Sequence, residues 1–471
     1  MIPVRAYEGK DVAVFGLGRS GISTCRALMA GGARVCAWDD NEAARKAAEA
    51  AGVPIVDLNK RDWQNFACLV LSPGIPFRYP EPHRFVKMAQ MVSVPVIGDM
   101  ELFARAVAEL KEFERPRIVG ITGTNGKSTT TALIGHILKQ SGKDVRIGGN
   151  IGVGVLDLDR LHSGAIYVLE LSSYQLDLAE TLRCDVAVML NLSPDHLTRH
   201  GGMDGYVSAK RRIFRNQTPH DWAIIGVDDT RSQIMCTQLS SEGLRKVMPV
   251  SAEYGLGRGV SVLDSQLCDA MLGRVSPPIS IAKARALPGR HNQQNAAAAY
   301  AACRALGLEP ADILAAMDTF PGLPHRLETI GTLEGVRFIN DSKATNAQAA
   351  EQALRAFPNS WWIVGGRPKE DGIDDLAPLF PSIRKAYLIG ESTEAFARML
   401  TGKLEHEKCR TLDVAVEAAF RDAKASGQPN PVILFSPAAA SFDQFKDFEQ
   451  RGDAFRQQAA KLVKRPTQTP A

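Results

Sequence analysis

The residues best suited to chemistry are Gly123-Thr124-Asn125-Gly126-Lys127-Ser128-Thr129. They follow an apolar strand expected over 118–122 and lead into a helix expected over 129–139. In that setting successive backbone N–H groups can point at phosphate oxygens. Lys127 can then neutralise a transferring phosphoryl group, and the Ser128 or Thr129 hydroxyl can ligate Mg²⁺. Ile121 stands where the commoner GxxxxGK[ST] loop has its first glycine, so this is a shorter GxxGKS variant. A second apolar strand, 165–170, ends on Glu170, where a carboxylate can hold Mg²⁺ at the edge of a sheet. A third, 186–190, runs into Asn191-Leu192-Ser193-Pro194-Asp195-His196 and brings His196 to the same edge.

A second glycine-rich loop, Gly16-Leu17-Gly18-Arg19-Ser20-Gly21, also lies between a strand and a helical pattern, and the next strand, 34–38, ends in Asp39. Backbone N–H groups at such a turn suit a pyrophosphate, and the acid suits a ribose hydroxyl, so NAD, FAD and UDP-sugars all remain open. A tight strand-to-helix turn with no ligand is the plainer alternative. Further along, Asn340-Asp341-Ser342-Lys343-Ala344-Thr345-Asn346 is a dense polar run after the strand 336–339. It fits a small charged substrate, a nucleotide, or a capped helix start. Ser436-Pro437-Ala438-Ala439-Ala440-Ser441-Phe442, after the strand 432–435, poses the same choice.

These loops need sheets to hold them. Apolar runs at 12–15, 67–71, 118–122, 165–169, 186–190, 223–227, 361–364 and 432–435 alternate with helix-period segments, which predicts an α/β fold with largely parallel sheets. Two phosphate-type loops so far apart each need their own sheet, and Pro321-Gly322-Leu323-Pro324 marks a further break. Three domains follow: 1–97, 98–322 and 323–471. The Ala-rich stretch 296–302 reads as one helix, and 256–283 carries no readable pattern. With 471 residues and a formal net charge of +4, the chain is long enough for several cores and too weakly basic to advertise a nucleic-acid surface. Eight cysteines without a C-x-x-C pair suggest neither zinc nor a disulfide framework, so a reducing cytoplasm is expected. No run of 18 apolar residues is present to insert into a membrane.

Taken together these motifs resemble the Mur ligases. The likeness runs through the two loops above, Ser72-Pro73-Gly74, Gly149-Asn150-Ile151-Gly152, Glu170-Leu171-Ser172-Ser173-Tyr174-Gln175, Gly289-Arg290-His291-Asn292, residues 322–326 and 340–346, and 436–448. It implies an N-terminal Rossmann-like domain, a central P-loop ATPase domain and a C-terminal Rossmann-like domain. It further implies an ATP-dependent ligase joining D-glutamate to UDP-N-acetylmuramoyl-L-alanine, with two Mg²⁺ ions, acting as a cytoplasmic monomer. The Asp-Asn-Pro-Arg loop expected of the diaminopimelate-adding members does not occur here.

On this resemblance Lys127, His196, Lys210 and Arg326 form the catalytic set. ATP is expected on residues 123–129 with Asn292, Asn295, Arg326 and Asp341. The metals are expected on Ser128, Thr129, Glu170, His196 and Lys210. The UDP-sugar is expected on Gly18, Arg19, Ser20, Asp39, Gly74, Asn150 and His196, and D-glutamate on Lys343, Thr345, Lys369, Ser441, Phe442 and Phe448. By its own surroundings, Ser208-Ala209-Lys210-Arg211-Arg212, Lys210 reads as part of a solvated basic helix face. Only the resemblance makes it a carbamylated lysine near metal.

Three other classes compete. An NAD-dependent oxidoreductase leaves the P-loop and Glu170 unused. A GTPase is suggested by Asn59-Lys60-Arg61-Asp62, which spells NKxD but precedes the P-loop, against the required order. A non-catalytic nucleotide-binding module would bind without turnover. Closer at hand is a Mur-type ligase with another acceptor amino acid, since small pocket changes redirect such choices.

Overall fold

The computed structural model describes residues 1–368 and 372–464. Among them the short apolar runs become strands of three separate sheets, because segments this short and apolar are satisfied only by pairing with one another. The first sheet holds β1 (Asp11–Phe15), β2 (Arg34–Trp38), β3 (Phe66–Leu71) and β4 (Val96–Ile97) in the order β2-β1-β3-β4. Every neighbouring pair in it is parallel. The helix Arg19–Ala30 leaves the first glycine-rich loop directly, with Gly18 as its extended N-cap.

The second sheet holds β5 (Arg117–Thr122), β6 (Asp144–Gly149), β7 (Ala165–Glu170), β8 (Val186–Met189), β9 (Trp222–Gly226), β10 (Lys246–Ser251), β11 (Val260–Leu263), β12 (Gln266–Asp269) and β13 (Ile279–Ser280). Its order is β13-β12-β11-β10-β9-β8-β5-β7-β6. β7 and β8 are buried at every position, as central strands covered on both faces must be, which is why their sequences read as continuous apolar runs. The unreadable segment 256–283 supplies β11 to β13, whose last two pairings are antiparallel. Val260, Val262 and Leu267 are buried there. Strands this short, broken by a glycine- and proline-rich excursion, leave too few alternations to recognise in sequence.

Both sheets belong to one compact unit, Met1–Lys283 with Gln294–Phe320. The helix Asp99–Ala108 shows why: Asp99, Met100, Glu101, Leu102, Phe103, Ala104, Ala106 and Val107 are all buried. Phe103 meets Tyr167 of β7 with ring centroids 5.4 Å apart, and one such fully buried ring is worth about 2–3 kcal/mol. Glu101, also fully buried, is satisfied by the backbone N–H groups of Glu180 and Thr181, the Thr181 hydroxyl and Arg105.

The second unit comprises Ala284–Gln293 and Pro321–Ala471. Its sheet holds β14 (Glu328–Leu333), β15 (Val336–Asn340), β16 (Ser360–Gly365), β17 (Ile383–Ile389), β18 (His406–Arg410) and β19 (Val432–Phe435) in the order β14-β15-β19-β16-β17-β18. Among the described residues of this sheet, only the β14–β15 pair is antiparallel. The longer of its two segments begins at Pro321.

Candidate active site

The P-loop helix spans Lys127–Gln140 and starts two residues earlier than the sequence predicts, so Lys127 and Ser128 lie on its first turn. Gly126 makes the sharp entry with φ of 82°, and a Cβ there would stand 2.2 Å from Asn295 Oδ1, so Asn295 lies directly on the loop. The loop is further held by Asn191: its Oδ1 accepts from the Asn125 N–H at 2.8 Å and its Nδ2 donates to the Asn125 carbonyl at 3.2 Å. Thr124 is fixed as well, its hydroxyl donating to Ser193 O at 3.1 Å and meeting the Tyr206 hydroxyl at 3.0 Å. The loop is thus preorganised by Asn191 and Ser193 after β8 and by Tyr206 on the helix Met203–Arg211.

Two lysines converge on it. Lys127 Nζ donates to Gly123 O at 2.9 Å and Thr124 O at 2.7 Å, and Lys210 Nζ donates to the same Gly123 carbonyl at 2.8 Å. Lys210 is not solvated, as its sequence surroundings imply; it is 2% exposed, its Nζ also reaches Thr122 Oγ1 at 3.3 Å, and it lies over the Tyr206 ring. The helix Met203–Arg211 turns Tyr206, Ala209 and Lys210 inward, one face of a short amphipathic segment. Burial, with the Lys127 charge, pushes the Lys210 ammonium well below the usual lysine range, against the pull of Asp195 and Glu170.

Glu170 closes the cluster at the end of β7. It is 2% exposed, Oε1 accepts from Asn150 Nδ2 at 2.7 Å, and Oε2 is buried with no hydrogen-bond partner. A buried carboxylate oxygen with nothing to accept is costly unless a cation completes it. No group of three His, Cys, Asp or Glu side chains suited to a metal occurs among the described residues. The open Glu170 oxygen fits Mg²⁺, a hard ion commonly bound by one or two carboxylates, phosphates and water rather than by a protein cage. Ser128 and Thr129, half-buried on the first helical turn, supply hydroxyls of the right kind.

His196 occupies a left-handed position, φ 52°, and is exposed, with Nε2 3.4 Å from Asp195 and its ring 5.0 Å from Tyr174. Sequence reasoning passed over its neighbour His200, which is buried, bonds Ser173 Oγ at 2.9 Å and stacks on Tyr174. Burial lowers the His200 pKa and favours the neutral ring.

The first glycine-rich loop is built differently. A Cβ at Gly16 would stand 2.6 Å from Ser72 Cβ, and one at Gly21 would stand 1.9 Å from Gly16 O, whereas one at Gly18 meets nothing within 4 Å. Two of the glycines therefore serve close packing and the third leaves the helix N-terminus open. Asp39 braces the loop, accepting from Leu17 N–H at 2.7 Å, and also accepts from Asn41 N–H at 2.8 Å. Ser20 Oγ lies 3.3 Å from Ser72 Oγ, and Arg19 is exposed beside them. Asp40 is tied to Arg84 and His83 rather than left facing solvent alone. Gly74, in the turn after β3, receives Arg199 at its carbonyl, 2.8 Å away.

In the second unit, Asp341 directly follows β15 and is almost fully buried, accepting from Leu327 N–H at 3.2 Å and from Ser436 Oγ at 2.8 Å. Burial raises its pKa to about 7, with the Ser436 and Leu327 donors pulling the other way. Lys343 is exposed, its ammonium 4.0 Å over the Phe448 ring, and Ser342 Oγ donates to Phe448 O at 2.8 Å. Thr345 is half-buried, Ser441 buried, and Phe442 62% exposed. Asn292 is buried with Nδ2 donating to Pro288 O at 2.8 Å, and Arg326 follows His325, which has a left-handed φ of 61°. Lys369 lies outside the described residues. Unforeseen is Arg451, 1% exposed, which donates to Ser342 Oγ, Ser342 O and Ala439 O and so ties the two polar loops of this unit together. An arginine beside Glu and Gln in a helix gives no sequence sign of burial.

Comparison with known proteins finds two family patterns in the chain. The pattern described as the Mur ligase middle domain matches residues 121–303, and the Mur ligase glutamate ligase domain matches 325–439. A protein of Caulobacter sp. (strain K31) named UDP-N-acetylmuramoylalanine--D-glutamate ligase is 56% identical over 97% of both chains. A protein of Phenylobacterium zucineum (strain HLK1) with the same name is 56% identical over 98% of both. Among solved structures, the UDP-N-acetylmuramate-alanine ligase of Thermotoga maritima has a TM-score of 0.58 at 19% identity, covering 96% of this chain and 99% of its own. The MurF ligase of Thermotoga maritima in complex with ADP has a TM-score of 0.55 at 18% identity, covering 84% and 96%. At such identities these structures speak for the fold, while the relatives that match nearly end to end, together with both domain patterns, place the chain in the Mur ligase family.

Proposed function

We propose that the chain is an ATP-dependent ligase that joins the alanyl carboxylate of UDP-N-acetylmuramoyl-L-alanine to the amine of D-glutamate, in the synthesis of a cell-wall precursor. The observation that carries this is the near end-to-end identity to relatives bearing that name. The P-loop cluster supports the same chemistry. A carboxylate is a poor electrophile, so its oxygen first attacks the γ-phosphorus of ATP, releasing ADP and giving an acyl phosphate. The amine then attacks the acyl carbon, loses a proton, and the tetrahedral adduct expels phosphate. Such a reaction asks for positioning and charge neutralisation more than for a covalent enzyme intermediate.

On this reading the amides of residues 123–129 and Lys127 take the phosphates of ATP, with Asn295 beside the loop. Ser128, Thr129 and Glu170 would hold one Mg²⁺ and His196 with Lys210 would support a second, which would supply neutralisation of phosphate charge. Lys210, buried with its amine biased toward the neutral form, is in the state that takes up carbon dioxide to become a carbamate. The neutral amine would add to the carbon of carbon dioxide and release one proton, and the carbamate anion so formed would offset the Lys127 charge beside Gly123 O. Gly18, Arg19, Ser20, Asp39, Gly74 and Asn150 receive the UDP-sugar. Lys343, Thr345, Ser441, Phe442 and Phe448 receive D-glutamate, whose two carboxylates suit a lysine and hydroxyls. Among the described residues no helix is long and apolar enough to cross a membrane.

The test is phosphate release from ATP with UDP-N-acetylmuramoyl-L-alanine, comparing D-glutamate, L-glutamate, L-alanine, L-lysine and meso-diaminopimelate, with the product weighed by mass spectrometry. Turnover with D-glutamate alone supports the proposal. A different preferred acceptor removes the D-glutamate assignment, and no turnover with any removes the ligase reading.

A further inference from the structure

One cation near this site is committed to neither phosphate nor metal in any reading above. Arg199, on the short helix Leu197–His200, donates from Nη1 to Gly74 O at 2.8 Å and from Nη2 to Pro73 O at 3.3 Å and Ile75 O at 2.7 Å. Three consecutive carbonyls of one turn are thus gathered by one guanidinium. Its planar fork suits that task, and a lysine ammonium would not span it in the same way. The guanidinium also lies over the Tyr174 ring, 4.8 Å from its centroid, and that ring in turn meets His196 and His200.

The turn it grips belongs to the first sheet, and the loop it stands on belongs to the second. On the far side of the turn, Ser72 Oγ donates to Gly16 O at 2.9 Å, so the turn is continuous with the first glycine-rich loop. A second contact closes the same seam: a Cβ at Gly201, whose φ is 69°, would stand 2.7 Å from the Tyr79 ring. The chain after β3 is therefore laid against the His196 loop at two places, by a cation and by an aromatic ring.

We propose that Arg199 is a positioning residue for the ligase reaction: it fixes the Pro73–Ile75 turn against the His196 loop and so sets where the acyl end of a UDP-sugar substrate arrives relative to the P-loop. This rests on the function proposed above. The P-loop itself is held by Asn191, Thr124 and Tyr206, none of which Arg199 touches through these bonds. Loss of Arg199 therefore disturbs the UDP-sugar substrate and spares the adenine nucleotide.

The experiment uses the full chain as wild type, Arg199→Ala, Arg199→Lys and Tyr79→Ala. It measures D-glutamate-dependent phosphate release against UDP-N-acetylmuramoyl-L-alanine, and ADP binding by calorimetry. Arg199→Ala is expected to lower kcat/KM for the UDP-sugar about 100-fold, mostly through KM, while ADP affinity stays within about twofold. Arg199→Lys recovers part of that loss. Tyr79→Ala removes an exposed ring and keeps the fold, and it shifts KM in the same direction by about threefold. An unchanged KM in both alanine variants overturns the proposal. So does a fall in ADP affinity parallel to the loss of turnover, which is the mark of general damage. Should Arg199→Ala not fold, the KM of Tyr79→Ala decides alone. Absence of D-glutamate-dependent turnover in the wild type strikes the function instead, and UDP-sugar affinity measured by calorimetry in wild type and Tyr79→Ala then settles the positioning.

Discussion

The two glycine-rich loops of the first unit begin alike and end as different devices. Each follows a central parallel strand and opens a helix, so each offers backbone N–H groups and the positive end of a helix to an anion. Around residues 16–21 the neighbours are Ser20, Ser72 and an Asp39 already engaged by Leu17 and Asn41. Around residues 123–129 stand two lysines sharing one carbonyl and a buried carboxylate with an unsatisfied oxygen. An N–H cradle suffices to hold a diphosphate. Moving a phosphoryl group asks in addition for charged groups that converge, and the second loop has them.

The largest effect should come from breaking that asymmetry at its centre. If the two loops serve different ligands, as proposed, Lys127→Ala is expected to lower turnover about 1,000-fold or more, whereas UDP-N-acetylmuramoyl-L-alanine affinity measured by calorimetry stays within about threefold. Lost UDP-sugar binding in that variant would mean that the loops do not divide the work in this way.

A third loop after a strand, at Asp341, handles charge by excluding water rather than by pairing. With its pKa raised from the usual 3.8 to about 7 by burial, the folded chain holds more protons than the unfolded chain between those values. The stabilisation is full below about 3.8 and is lost as pH rises through about 7, with at most about 4 kcal/mol at stake. Asp341→Asn lacks this dependence. Urea midpoints of the two proteins from pH 4 to pH 8 should therefore converge at the acid end and separate toward neutrality, the wild type becoming the weaker. Parallel curves would show Asp341 to be ionised throughout.

Much of this was legible in sequence because it is local. A parallel strand buried on both faces is a short apolar run, and a loop after it is marked by glycine, so β5, β7, β19 and the loops they carry stand out in the chain. What escaped depends on contacts distant in sequence. Lys210 looks solvated among serine and arginines, yet it shares the buried helix face of Tyr206 and Ala209 and bonds to Thr122 and Gly123, far from it in the chain. Arg451 is buried because carbonyls at 342 and 439 come to it. The helix Asp99–Ala108 begins where a domain boundary was expected, and its acids are satisfied by residues near 175 and 180. Clamps such as Asn191 on Asn125 likewise join residues far apart in the chain.

The comparison sharpens at the first loop itself, where two glycines of one motif should behave in opposite ways. Gly21→Ala places a methyl 1.9 Å from a backbone oxygen, with no side chain able to yield. It should cost roughly 2–3 kcal/mol of stability, read as a lowered melting temperature. Gly18→Ala meets open space and sits at an N-cap with φ of −70° and ψ of −169°, a conformation any residue adopts. Its stability should change by less than about 1 kcal/mol, since alanine only forgoes a modest capping preference. If the helix N-terminus is where the diphosphate lies, however, the added methyl stands in the path of the ligand. The KM for the UDP-sugar should rise about threefold to tenfold with the KM for ATP unmoved. A stable Gly18→Ala protein with an unaltered UDP-sugar KM would reduce the whole motif to a packing turn, and the likeness between the two loops would then be one of backbone alone.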